Sequence, residues 1–151
     1  MPIDPTIVGT RTPEFQTTAE RNRLRFFAQA TGQPDPAYTD LDAARLAGYR
    51  DLPIPATFLF CLEMDNPDRH RFLADLGVDM RAILHGGQRF QYHAQAYAGD
   101  TLTFWTEVTD VYDKKGGALD FIVRDTHVSR DGAPIATLTS TIVVRDPKAA
   151  A

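Results

Sequence analysis

The chain has 151 residues, enough to bury a core without disulfides or metal. It is 43% apolar and 24% charged with a formal net charge of −4, which excludes a basic footprint for nucleic acid or for an anionic membrane surface. A single cysteine excludes an internal disulfide framework, and with no apolar run near the roughly 18 residues of a membrane span, nor an apolar signal core in MPIDPTIVGT, the expectation is one cytoplasmic domain over residues 1–151.

The first ten residues read as an irregular lead-in. Thr17 and Glu20 stand at capping-box spacing and open AERNRLRFFAQAT as a helix. Leu24, Phe27, Ala28 and Thr31 fall on one face of it, with Arg21, Arg23 and Arg25 spread over the remainder. Gly32 suits a left-handed cap, and Pro34 and Pro36 forbid continuation. Asp40 caps a short helix, LDAARLAG, which Gly48 ends. Pro53 and Pro55 then hold the chain extended before Ala56 to Met64, apolar almost all round and therefore a buried helix. Cys61 lies in this run, as a small buried hydrophobe. Glu63 is expected to mark the solvent-facing end of the helix. DRHRFLADLG gives a further helical turn or two, stopped by Gly77.

From His85 the period changes to two. QRFQYHAQA alternates, AGD at 98–100 turns the chain, and TLTFWTEVTDVY, LDFIVRDTHVSR and PIATLTSTIVVRD read as strands separated by the hairpin signals DKKGG and RDG. Helices followed by an antiparallel meander of about four strands give an α+β fold. One buried helix beside a curved sheet suggests that the sheet wraps the helix, leaving edge strands as points of dimerisation. Gly86 and Gly87 beside His85 let another backbone come close.

Two stretches together carry a family resemblance. FAQATGQPDPAYTDLDAARLAGYRDLPIPATF resembles the MaoC-like (R)-specific enoyl-thioester hydratases, whose loop runs Gly-Asp-x-Asn-Pro-hydrophobic-His. ILHGGQRFQYHAQAYAGDTLTFWTEV resembles their FAS1-like dehydratase (MaoC N-terminal) branch, and the likeness spans about residues 15–145. It implies a hot-dog fold, a curved antiparallel sheet around a central helix. It also places the family's catalytic Asp on Gln33, its Asn on Asp35 and its catalytic His on Tyr38. The glycine whose amide binds the thioester oxygen falls on Thr57.

Glutamine carries no proton, and a phenol near its reference pKa of about 10 is a poor base, so the acid–base pair that hydration requires is missing. No catalytic residue is assigned; Gln33, Tyr38 and Thr57 mark the vestigial site. Substrate contacts are expected from Asp35, Phe58, Leu59, Leu62 and His85, with Phe60 also on the apolar side of an acyl tunnel. The resemblance implies a non-catalytic, acyl-binding subunit of a (3R)-hydroxyacyl-thioester dehydratase or (R)-specific enoyl-CoA hydratase, paired with a catalytic hot-dog chain. It implies no cofactor beyond the CoA or acyl-carrier thioester that bears the substrate.

Alternatives are a homodimeric hydratase recruiting Tyr38, Asp35 or His85, a thioesterase centred on Glu63, and an acyl-CoA binding module. Four histidines and one cysteine without ligand spacing give no metal site. His93, His127 and His70 read as surface or interface groups. Ser129 and Ser140, the only serines, stand in no nucleophile elbow.

Overall fold

Glycine and proline punctuate the helical half as the sequence indicates, in a computed structural model that describes residues 3–145. A short strand, β1 (Phe15–Thr18), precedes α1 (Arg21–Ala30). Leu24 and Ala28 of α1 are buried, and Gly32 ends the helix at φ 70°. A 3-10 turn, Pro36–Tyr38, leads to α2 (Leu41–Leu46), whose first turn is capped by the Asp40 carboxylate accepting the Ala43 N–H at 2.8 Å. The central helix α3 spans Phe58–Glu63, and α4 spans Arg71–Asp75 before Gly77 at φ 70°.

Four long strands follow: β2 (Ile83–Tyr92), β3 (Thr101–Lys114), β4 (Leu119–Arg130) and β5 (Ala133–Arg145). Asp131 and Gly132, both at positive φ, make the two-residue β4–β5 turn, the backbone that matches the twist of paired strands. All pairings are antiparallel, in the order β1-β3-β4-β5-β2. Only β3, β4 and β5 form a meander. β2 crosses to the far edge beside β5, and β1 adds a strand absent from the sequence reading.

That unexpected strand removes the predicted capping box. Thr17 sits inside β1, the N-cap is Glu20 without a side-chain bond, and the Thr17 hydroxyl donates to Asp65 at 3.0 Å. Asp65 also accepts two bonds from Arg23, at 2.7 and 3.0 Å, tying α1 to the end of α3. Gly86 is required by packing: a Cβ there would lie 2.7 Å from Val143 Cγ2 and 3.2 Å from the Thr141 carbonyl, at a bulge in β2. Gly87 meets nothing within 4 Å.

Phe58, Leu59 and Leu62 of α3 join Leu24, Leu102, Phe104, Val128 and Leu138 in the main core, so the helix lies against the inner face of the sheet. A second cluster gathers Leu73, Val108, Ile122 and Ile142 beyond its C-terminal end. Asp100, 6% exposed, accepts from Arg50, from Arg130 at 2.6 Å and from the Tyr97 N–H at 2.9 Å, joining the β3 approach to β4. Burial pushes its carboxyl up, but those three donors outweigh it and hold the group below the usual carboxylate range. No helix among the described residues is long and apolar enough to cross a membrane.

Candidate functional site

The loop after α1 is shaped by its own side chains. Gln33 Oε1 accepts the Asp35 N–H at 3.2 Å, and Asp35 Oδ1 accepts the Ala37 N–H at 2.9 Å. Asp35, expected as a substrate contact, thus caps the 3-10 turn. Tyr38 is half-buried, and burial raises its phenol above the ordinary value of 10.0, with Tyr49 and Asp35 nearby adding to the shift. A phenol so displaced is a still poorer base at neutral pH.

Thr57, at the N-terminus of α3, adopts φ 72°. This left-handed backbone suits glycine and strains a β-branched residue. The Thr57 N–H, the amide that the resemblance assigns to a thioester oxygen, donates to the Tyr92 hydroxyl at 3.0 Å. Sequence reasoning missed this bond because it joins residues 35 apart through an edge strand.

A cavity of about 660 Å3 lies at the opposite end of α3. Phe15, Phe60, Phe72, Leu73 and Ile83 supply apolar wall. Glu63, His85, Arg124 and Ser140 supply polar lining. Neither Leu59 nor Leu62 reaches it, since both are enclosed in the core; Phe60 is the tunnel-side residue of the sequence reading that does. Phe58 borders a separate groove with Phe26, Phe27 and Cys61. Cys61 is half-buried rather than enclosed, and burial raises its thiol pKa.

Glu63 corrects the sequence expectation. It is 7% exposed, not solvent-facing, and its Oε1 accepts from the Thr126 hydroxyl at 2.8 Å. Thr126 in turn contacts the Thr106 hydroxyl at 2.8 Å. Burial pushes the Glu63 carboxyl above the usual range, against the lowering influence of the Thr126 hydroxyl, Arg124 and His85. Arg124 is itself desolvated, which lowers its pKa, while Glu63 acts to raise it. His85 packs edge-on against Phe60, ring centroids 5.8 Å apart.

Of the other histidines, His70 lines the same cavity and His93 and His127 do not. His93 Nε2 lies 3.2 Å from the Thr137 hydroxyl, His127 stacks on Trp105 at 4.2 Å, and His70 precedes α4. Among the described residues no group of three or more His, Cys, Asp or Glu side chains could hold a metal ion. Arg124 left one trace in the sequence: it occupies the inward row of β4 between Ile122 and Thr126, where a charge is costly.

Residues 6–138 match the family described as FAS1-like, dehydratase domain region. A UPF0336 protein of Saccharopolyspora erythraea is 34% identical over 149 residues, covering 96% of this chain and 93% of that protein. The crystal structure of a C-terminally truncated HadBC (3R-hydroxyacyl-ACP dehydratase) complex from Mycobacterium tuberculosis aligns with TM-score 0.76 and 27% identity, over 94% of this chain and 99% of that one. A structure described as a MaoC-like dehydratase aligns with TM-score 0.81 and 25% identity, over 94% of this chain and 43% of that one. The fold is therefore a hot-dog fold, with α3 as its central helix.

Proposed function

The chain belongs to the FAS1-like dehydratase-domain family, and from that premise we propose that it is the non-catalytic, acyl-accommodating subunit of a (3R)-hydroxyacyl-thioester dehydratase or (R)-specific enoyl-thioester hydratase. It acts as one hot-dog unit beside a catalytic hot-dog chain. What carries this reading is the pair Gln33 and Tyr38, which the resemblance places at the family's proton-transfer positions. Hydration places hydroxide on C3 of the enoyl thioester and a proton on C2, so one group must take a proton from water and one must deliver a proton to carbon. Gln33 does neither and is engaged with its own loop. Tyr38 holds its proton more tightly than a free phenol.

The N-terminus of α3 supports the same conclusion. A thioester oxygen seeking the Thr57 amide would have to displace the Tyr92 hydroxyl. A partner chain would supply the acid and base. The 10-residue edge strand β2 pairs on one side only and exposes Leu84 and Tyr92, which favours strand addition by that partner. That the HadBC structure is a complex, and that this chain spans 43% of a MaoC-like dehydratase chain, agree with a two-part enzyme.

Hydration of crotonyl-CoA tests the reading, with the chain alone and with a catalytic MaoC-like chain co-expressed. No turnover alone, together with co-purification and turnover of the pair, is expected. Turnover by the isolated chain overturns the proposal.

One observation favours a second reading. Glu63 is a buried carboxylate in a cavity, with its proton affinity raised, the setting of a general base for thioester hydrolysis. Release of free CoA from an acyl-CoA, abolished by Glu63→Gln, would establish it.

A further inference from the structure

Three strands each place one polar side chain in a single row across the sheet. Register sets Gln88 of β2 opposite Ser140 of β5, and Ser140 opposite Arg124 of β4. Directly opposed residues of antiparallel strands share a face, so the three lie side by side. The adjoining row on β4 and β5 is apolar, Ile122 opposite Ile142. Arg124 and Ser140 line the 660 Å3 cavity at the C-terminal end of α3, where Glu63 joins them.

The row is incompletely bonded. Among the described residues, Arg124 Nε and both amide atoms of Gln88 are buried without a hydrogen-bond partner. Arg124 makes a long contact from Nη2 to Ser140 Oγ at 3.5 Å. Glu63, near enough to act on the Arg124 charge, accepts at its Oε1 from the Thr126 hydroxyl. Native structures leave few buried polar groups unpaired, because each costs about 1–3 kcal/mol. Gln88 stands off the cavity lining, but Arg124 and Ser140 line it, and the open Arg124 Nε points to a ligand group that completes it.

The chemistry of the row narrows that group. Donors at the cavity come from Arg124 and Ser140, and an acceptor from Glu63. A saturated alkyl end would leave all of these unmet. A carboxylate would be drawn to Arg124 but would face Glu63. A neutral oxygen satisfies donors without that opposition, and a hydroxyl can also give its proton to an acceptor.

We propose that the cavity takes an acyl chain bearing a hydroxyl or carbonyl remote from its thioester, and that Arg124 and Ser140 recognise that oxygen. This rests on the reading of the chain as an acyl-accommodating subunit and adds a substrate class to it.

The test is calorimetric titration of the full chain with decanoyl-CoA and with hydroxydecanoyl-CoA isomers carrying the hydroxyl at mid-chain, next to the end, or at the end. At least one isomer is expected to bind about tenfold more tightly than decanoyl-CoA, about 1.4 kcal/mol. Arg124→Met removes that preference, bringing the ratio of the two affinities to about one, whereas a merely structural role would weaken all probes alike and keep their ratio. Ser140→Ala reduces the preference too, and decides the matter if Arg124→Met does not fold. Equal binding of all probes by the native chain, or a preference that survives substitution, overturns the inference while leaving acyl binding intact. Binding of none of them overturns the acyl-accommodating reading, and the inference with it.

Discussion

Arg124→Met is expected to stabilise the chain by about 1–2 kcal/mol, an unusual direction for a substitution inside a sheet. The arginine carries a buried, unpartnered Nε, whose desolvation costs about 1–3 kcal/mol. Its compensation is small: the contact with Ser140 Oγ, at 3.5 Å, lies beyond the ordinary range and contributes about 0.5 kcal/mol or less. Glu63 attracts the Arg124 charge, but desolvation of the guanidinium outweighs that attraction. Methionine keeps an unbranched side chain of similar reach and suits a strand neighbourhood that includes Val108 and Ile122. In a chain of this size the gain corresponds to a Tm rise of about 2–8 °C. Urea and thermal unfolding at neutral pH measure it. A loss of 1 kcal/mol or more, by the scale of a satisfied buried ion, would refute the reasoning that the row is unpaired and held for a ligand.

Three further perturbations test separate parts of the molecule. Thr57→Gly should leave stability unchanged or raise it by up to about 1 kcal/mol, since relief at φ 72° offsets the greater freedom of glycine in the unfolded chain; urea unfolding measures it. Asp100→Asn should cost about 2–4 kcal/mol in the same assay, because two arginines lose their shared carboxylate, with Arg50 half-exposed and so partly solvated. Glu63 holds its proton more tightly when folded, so its contribution is greatest below the ordinary glutamate value of 4.5 and is lost as pH climbs through the raised folded value. Comparing the pH dependence of unfolding in the native chain and in Glu63→Gln should show that decline only in the native chain, with the two converging at low pH.

Local chemistry made much of the fold legible. Gly32, Gly48 and Gly77 stop helices at positive φ, and the Asp131–Gly132 turn fixes the β4–β5 hairpin. What escaped depends on distant partners. β1 has four residues and acquires strand character only by pairing with β3, which drew Thr17 away from its apparent capping role. β2 sits beside β5 rather than β3, a choice of edge that period-two alternation does not encode. The same limit applied to the site. Gln33, Tyr38 and Thr57 are singled out by a linear motif alone and stay a proposal, whereas the setting of Glu63 depends on Thr126, 63 residues away. The Gln88–Ser140–Arg124 row exists only once two strand registers are set. Arg124 on an inward row was the one clue available beforehand.

The proposal that positions 33 and 38 transfer no proton is tested most directly by solvent-deuterium incorporation. Crotonyl-CoA is incubated in deuterium oxide with the purified chain alone, and the thioester and its 3-hydroxy product are examined by mass spectrometry for label at C2. No label above buffer is expected from this chain, with label appearing once a catalytic chain is added. Chain-dependent deuterium at C2, from protein free of any partner, would contradict the reading of this subunit as chemically silent.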